Sequence, residues 1–208
     1  MVLFRDQNHL FDELVGKPPR DFVSHYLFEP IPFIFRGDLA AWINWKTILS
    51  SKLEVDPRNI VLTGSAAIGF SLSPMKGYRP FSGRSDVDCG IISEFHFDLA
   101  WRHLRQSAAV SSSISGDVRK AVNSHKVNHI FTGTIAANKI LPILPFGQTW
   151  MAALTDMSQI EPTVGRDVKL RIYKDFDALR FYQSDNIGRL RDALAAERYG
   201  STEIAVED

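Results

Sequence analysis

The stretch that decides the fold runs from Val61 to Ser93 and reads VLTGSAAIGFSLSPMKGYRPFSGRSDVDCGIIS. It begins with an apolar run and turns at Gly64 and Ser65. Small residues and a polar loop follow, and a second apolar segment opens at Asp86. Short apolar runs bounded by glycines and polar clusters are typical of strands. The stretch therefore predicts a strand, a tight turn, a short helix, a loop and a second strand.

Two acids of this stretch, Asp86 and Asp88, stand one residue apart on the second predicted strand. Side chains alternate along a strand, so both carboxylates project to the same face. Two like charges held side by side repel unless a cation lies between them, and Mg²⁺ with its preference for oxygen ligands fits such a pair. The turn at Gly64 and Ser65 opens a helix and offers N–H groups and a hydroxyl to phosphate. The pattern predicts a metal–triphosphate site.

This ordered combination, Gly64-Ser65 before a helix and then Asp86-x-Asp88 on a strand, resembles the signature of the nucleotidyltransferase superfamily typified by DNA polymerase β. The resemblance covers residues 61–93. It implies an α+β fold, with a mixed β-sheet flanked by helices and a C-terminal helix. It also implies Mg²⁺ or Mn²⁺ as cofactor, with Gly64 and Ser65 binding the triphosphate and Asp86 and Asp88 binding metal. The structural alternative is a turn glycine followed by two solvated acids.

The superfamily normally adds a third carboxylate from a later strand, which helps to hold the catalytic metal. Residues 167–173 (DVKLRIY) alternate as a strand and place Asp167 on the polar face. Asp167 is the first candidate for this third metal ligand and Asp117 the second, and the alternative for Asp167 is a strand-start acid in a turn. Lys169 and Arg171 share the polar face and are candidates for stabilising charge on the triphosphate.

Twenty residues separate Ser65 from Asp86, which is more than in the minimal members of the superfamily. Cations interleaved with aromatics suit phosphate contacts and base stacking. The alternative is a solvated loop with packed aromatics. The residues concerned are Lys76, Tyr78, Arg79, Phe81 and Arg84.

Composition bounds the rest of the interpretation. The 208 residues carry 24 Lys+Arg and 24 Asp+Glu, so there is no global basic field to hold a long duplex. A lone cysteine, Cys89, excludes an intramolecular disulfide, and its apolar neighbours predict a packed thiol rather than a nucleophile. No apolar run is long enough to span a membrane and no signal peptide is evident, so a cytoplasmic protein is expected.

A single domain is expected over residues 1–208, in three parts. An aromatic and proline-rich arm (1–37) either wraps the core or binds a partner. The catalytic core (38–174) is followed by a C-terminal helix and a mobile tail (175–208). Within the tail, Tyr199 is either a protein primer or an exposed tyrosine at a helix end. The further predicted elements are helices at 38–53, 98–106, 148–158 and 175–196, and strands at 127–135 and 167–173.

The predicted function is transfer of a nucleoside monophosphate from a nucleoside triphosphate such as ATP, or its deoxy form, to a hydroxyl acceptor with release of pyrophosphate. By analogy with small stand-alone members of the superfamily, the product is a signalling nucleotide or a short single-stranded oligonucleotide in a bacterial stress or anti-phage pathway. The alternatives are transfer onto tRNA or protein, and a catalytically weak nucleotide-binding or antitoxin-like module that acts through a partner protein or as a homo-oligomer.

Overall fold

The computed structural model describes residues 3–107, 116–117, 120, 122–123, 130–136 and 139–203, with the backbone alone at 107, 130, 136 and 197–203. Within these residues a mixed sheet is flanked by helices, which confirms the predicted α+β class. The strands are β1 (Ile60–Thr63), β2 (Val87–Ile92), β3 (Thr134–Ala136) and β4 (Val168–Tyr173). The helices are α1 (Gln7–Gly16), α2 (Pro19–Val23), α3 (Leu39–Leu53), α4 (Gly64–Ile68), α5 (Glu94–Ser107), α6 (Gly147–Met157) and α7 (Phe176–Glu203).

The four strands lie in the order β1-β2-β4-β3. β1 runs antiparallel to β2, which places Thr63 opposite Asp88. β2 runs parallel to β4, which places Asp88 opposite Lys169. β3 closes the sheet as an antiparallel edge on β4. β2, which contains Asp88 and directly follows Asp86, is therefore central and has a paired strand on each side.

The alternation of β2 divides the sheet into two faces. Val87, Cys89 and Ile91 are buried in the main apolar cluster, together with side chains of α3 and α6. Burial raises the pKa of the Cys89 thiol, and the prediction of a packed thiol is confirmed. On the opposite face, Leu179 of α7 packs close to Gly90. The C-terminal helix therefore lies on the same face as Asp88.

The aromatic arm packs against the core, as one of its two predicted alternatives required. Phe4, Leu10 and Phe22 are almost completely buried in the main cluster. The proline-containing run 28–35 is predicted to be extended, since each proline disfavours helix in the residue before it. This prediction is wrong at both ends of the run, because Phe28 ends a π-helical turn and Phe33–Phe35 form a 3₁₀ turn. Residues 33–35 follow Pro32 and precede no proline, so the restriction on the residue before proline does not reach them. The turn that they form buries the side chains of Ile34 and Phe35.

The predicted helix at 38–53 is confirmed as α3, and Asp38 at its start is a residue type that caps helices well. The Asp38 side chain accepts a hydrogen bond from the backbone N–H of Ala41 at 2.9 Å. The strand predicted from the apolar run 60–62 appears as β1, and the strand predicted to open at Asp86 appears as β2, which begins one residue later at Val87. The strand at 167–173 and the helices at 98–106 and 148–158 also appear, within a few residues at their ends. The predictions were accurate where the pattern is local.

The predicted strand at 127–135 is largely wrong in its described part. Residues 130–132 form a 3₁₀ turn, and β3 begins only at Thr134. Thr134 pairs with Tyr173, the last residue of β4, so the described residues 130–133 lie beyond the end of the neighbouring strand. Residues 124–129 lie outside the described part of the chain.

The C-terminal helix is longer than predicted. α7 continues to Glu203, so the predicted end of the helix at Ala196 is too early. Ala195, Ala196 and Glu197 are strong helix formers and favour this extension. Tyr199 lies within the helix rather than after it, and its side chain is outside the described set. No helix in the described ranges is both long and apolar enough to cross a membrane.

Replacing Thr163 with valine is expected to lower the free energy of unfolding by about 2 kcal/mol, because a buried donor would lose its acceptor. The Trp45 indole N–H donates to Thr163 Oγ1 at 2.9 Å, and Thr163 is fully buried. Urea denaturation measures the change. Thr155→Val is the control, since the Thr155 hydroxyl donates to the Met151 carbonyl of the same helix at an exposed position. Equal losses in both variants would contradict the prediction.

Candidate active site

The sheet brings most of the predicted site residues onto one face. Asp86 and Asp88 flank the buried Val87, and β4 presents Lys169 and Arg171 to the same side, since parallel partners in register share a face. Asp88 is also anchored from β1, where the Thr63 hydroxyl donates to the Asp88 backbone carbonyl at 3.4 Å.

Gly64 touches this face directly. Its φ of +62° is the left-handed conformation that favours glycine, and a Cβ built on it would lie 3.0 Å from Asp88 Oδ2. Gly64, the first residue of α4, therefore lies against the carboxylate of Asp88. Ser65 follows on α4, half-buried and outside the lining of the cavity described below. The structure thus joins Gly64 to Asp88 and leaves Ser65 beside them.

Asp86 is paired with a cation from β4. Lys169 Nζ donates to Asp86 Oδ2 at 2.6 Å, and the two side chains are 35% and 33% exposed. This hydrogen bond raises the pKa of Lys169 above its ordinary value, so the ammonium is charged at neutral pH. The ion pair crosses from one parallel strand to the next and neutralises one of the two acids.

Asp88 differs from Asp86, because no hydrogen bond or ion pair to its carboxylate is present in the described part of the chain. Burial raises the pKa of Asp88 and the negative charge of Asp86 raises it further, while the charges of Lys169, Lys76 and Arg171 lower it. The side chain meets the water of the cavity, yet protein surrounds it closely enough for partial desolvation to dominate. A cation bound at Asp88 would relieve this penalty.

A cavity of about 490 Å³ lies between the carboxylate face and α7. Its volume falls within the range of small-molecule sites. Gly64, Asp88 and Lys169 line its sheet side, and polar side chains of α7 face them. The remaining lining includes Leu72, Ser73, Pro74, Arg171, Tyr173, Tyr182, Gln183, Asn186, Arg189 and Leu190.

Arg171 supplies a second cation to this cavity. Its guanidinium carbon lies 4.5 Å from the centre of the Tyr182 ring, a stacked arrangement that fixes the side chain. Its Nη1 atom is buried and has no hydrogen-bond partner among the described residues. A buried donor without an acceptor is costly, and Arg171 also brings its positive charge to the wall of the cavity.

The third carboxylate is not assembled in the described residues, which contain no group of three acid, histidine or cysteine side chains close enough to share a metal ion. Asp167 immediately precedes β4 and is exposed, and its backbone carbonyl accepts from the Val87 N–H at 2.9 Å. Asp117 is also exposed. Opposite Asp88, β4 carries Lys169 rather than an acid. A ligand role for Asp167 stays a prediction.

The loop before β2 follows the packing alternative at its aromatics. Tyr78 is buried with its ring edge-to-face on Phe11 at 4.8 Å, and Phe81 packs on Phe33 at 6.0 Å. Both rings are therefore in contact with the core. The cations Lys76, Arg79 and Arg84 are exposed, and Lys76 is near enough to lower the pKa of Asp88.

The residues that the sequence did not identify lie on α7. Gln183 is buried and donates to the Tyr173 hydroxyl at 3.2 Å, while Asn186 and Arg189 line the cavity about one and two helical turns farther on. Their spacing of three residues places them on one side of a helix, which is a readable signal. Nothing in the sequence indicates that this side meets the acid pair.

A second cavity, of about 770 Å³, lies where the arm meets the segment after α6. Its lining includes Phe33, Phe81 and Arg166 but none of the predicted site residues. The chemistry implied by the acid pair therefore belongs to the smaller cavity.

Comparisons with protein-family models, curated proteins and solved structures returned no match. A function must therefore be inferred from the residues of this chain and their geometry.

Proposed function

We propose that the chain is a metal-dependent nucleotidyltransferase whose triphosphate binds in the cavity between the carboxylate face and α7. The observation that carries the proposal is the approach of Gly64 to Asp88, where an added Cβ would lie 3.0 Å from the carboxylate. The turn expected to hold phosphates and the acid expected to hold metal thus meet at one wall of the cavity. Lys169 and Arg171 lie beside them and complement the charge of a triphosphate.

The acid pair fits a divalent cation. Asp86 and Asp88 share a face, and Asp88 has no cation bonded to it among the described residues while its pKa is raised. Mg²⁺ or Mn²⁺ bound by these two residues would neutralise their charge and that of the phosphates, and would lower the pKa of an acceptor hydroxyl. Asp167 is the candidate to add a third oxygen ligand.

The chain's own residues bind and orient the substrate. In this proposal Gly64 at the cavity wall and Ser65 beside the cavity bind the β- and γ-phosphates, and Lys169 and Arg171 offset the charge that develops on the leaving pyrophosphate. The acceptor oxygen forms a bond to the α-phosphorus as the bond to the β-phosphate oxygen breaks, and the acceptor proton passes to solvent. The wall formed by α7 limits the access of competing water.

The acceptor and the product follow from charge and analogy. The balance of 24 basic and 24 acidic residues disfavours a processive enzyme on duplex DNA. We therefore place the chain among enzymes that make a signalling nucleotide or a short single-stranded oligonucleotide in bacterial stress or anti-phage defence. Other hydroxyl acceptors are a tRNA end, a partner protein and Tyr199 of this chain.

A second candidate function is a catalytically weak nucleotide-binding module that acts through a protein partner. The observation that favours it is Lys169, which faces Asp88 on the strand where a third acid was expected. Such a module would bind the triphosphate and release no pyrophosphate.

Pyrophosphate release with each of the eight ribo- and deoxyribonucleoside triphosphates, plus Mg²⁺ or Mn²⁺, tests the proposal. We expect release with at least one nucleotide and a loss of at least about a hundredfold in Asp86→Asn. Asp156→Asn is the matched control, because Asp156 pairs with Lys52 at 2.7 Å on a remote surface. Triphosphate binding without release would favour the partner-dependent module, and the absence of both would refute the site.

A further inference from the structure

Lys169 forms an ion pair with Asp86 in the structure, and this contact conflicts with its proposed role of binding phosphate. The proposed function assigns its ammonium to the phosphates and assigns Asp86 to the metal. In the structure the ammonium donates to Asp86 itself at 2.6 Å. The charges of Asp86, Asp167 and Asp88 all act on it to raise its pKa. The lysine thus occupies the position of a counter-ion for the acids.

We infer that Lys169 is the resident counter-ion of the acid pair, and that it leaves Asp86 for the phosphates when a metal–triphosphate enters. This inference rests on the proposed function and adds to it a competition between the chain's own cation and the metal. In the protein without ligands, Lys169 limits the repulsion between Asp86 and Asp88. A bare divalent ion therefore binds weakly, and the acid pair takes up metal together with the triphosphate.

The Lys169 ammonium and a divalent metal ion compete for Asp86 because both are positively charged and would occupy the same side of its carboxylate. A divalent ion bound to Asp86 would lie close to an ammonium that already contacts the same carboxylate, and two cations at such separations repel strongly. Lysine carries its charge on a flexible four-carbon stem, and the Lys169 side chain is 35% exposed, so the ammonium is able to turn away. Binding of the phosphates provides it with new acceptors.

The other cations near the pair are placed differently. Arg171 is held by stacking on Tyr182, and Lys76 lies on the exposed loop before β2. Both lower the pKa of Asp88 through their charge, but neither has a hydrogen bond to the acid pair among the described contacts. Direct competition with the metal ion for Asp86 is therefore specific to Lys169. Lys169, Arg171 and Lys76 all contribute to the positive electrostatic potential near Asp88.

Binding of Mn²⁺ alone, measured by electron paramagnetic resonance without nucleotide, tests the competition. We expect Lys169→Met to bind Mn²⁺ about tenfold more tightly than the wild type, since a contacting opposite charge shifts an acid's affinity for cations by at least that factor. Lys169→Arg keeps the charge and should stay near the wild type. Lys52→Met is the matched control, because Lys52 pairs with Asp156 at 2.7 Å with a side chain 36% exposed. Arg171→Met, which removes a cation that does not contact the pair, should change the affinity less than about threefold.

The second half of the inference is tested by triphosphate binding with Mg²⁺ present. Lys169→Met should bind the metal–triphosphate about tenfold more weakly, opposite in direction to its effect on Mn²⁺ alone. Unchanged Mn²⁺ affinity in Lys169→Met, with Mn²⁺ binding abolished in Asp88→Asn, would overturn the inference and leave the metal site intact. Mn²⁺ binding that is equally weak in the wild type, Lys169→Met and Asp88→Asn would overturn both the inference and the proposed metal site.

Discussion

Replacing Asp88 with asparagine is expected to reduce pyrophosphate release by about a thousandfold, because a neutral amide holds a divalent cation poorly and the metal supplies several kcal/mol of transition-state stabilisation. Asparagine has nearly the same shape as aspartate, so it fits beside Gly64 and opposite Lys169 without a new clash. Steady-state kinetics at saturating Mg²⁺ and nucleotide measure the effect. The loss should appear mainly in kcat.

The same substitution should leave the fold equally stable or more stable at neutral pH. Burial and the charge of Asp86 raise the pKa of Asp88, so the folded protein binds a proton at Asp88 more tightly than the unfolded chain does. Ionisation of Asp88 therefore opposes folding. Its contribution to the free energy of unfolding falls as the pH rises from the ordinary carboxyl pKa to the raised one.

Asparagine removes this penalty, so the Tm of Asp88→Asn at pH 7 should equal or exceed that of the wild type. The advantage should vanish in acid, where Asp88 is protonated. Calorimetry across this range checks the sign. An acid that weakens the fold and is still required for turnover is typical of a functional site. Full activity in Asp88→Asn would contradict the metal assignment, whereas an unfolded variant would show a structural need for the charge.

The parts of the fold that the sequence predicts correctly are those specified by local patterns. α3 follows from the Asp38 cap and its apolar side, and β4 from a clean alternation over 168–173. β3 could not be predicted in the same way, because its first residue is decided by where β4 ends. The length of α7 was underestimated, since its last turns are polar and have no apolar periodicity to identify them.

In the candidate site too, the sequence predicts the features that depend on local patterns and does not predict those that depend on tertiary contacts. Gly64, Asp86 and Asp88 lie within one short stretch, and strand periodicity alone places the two acids on a common face. The contact of Lys169 with Asp86 depends on the parallel register of β2 and β4, which residues 83 positions apart do not reveal in sequence. The wall formed by α7 depends likewise on how a helix crosses the sheet.

Replacing Gly64 with alanine is expected to lower turnover by about a hundredfold, because misplacement of a catalytic group by about 1 Å has an effect of this size. Two terms act at this position. An L-residue at φ +62° costs about 1 kcal/mol of backbone strain, and the new methyl group would lie 3.0 Å from Asp88 Oδ2. That approach is tighter than ordinary packing, so the carboxylate must move away from the turn.

Gly77→Ala separates these two terms. Gly77 has a φ of +59°, and an added Cβ there would meet no atom within 4 Å. Both variants should therefore lose about 1 kcal/mol of stability, measured by urea denaturation, and only Gly64→Ala should lose activity and affinity for Mn²⁺. If the two variants were equally active, contact with the Gly64 turn would not position Asp88. If Gly64→Ala lost Mn²⁺ affinity without further loss of stability, the glycine would be required there by the carboxylate as well as by the backbone.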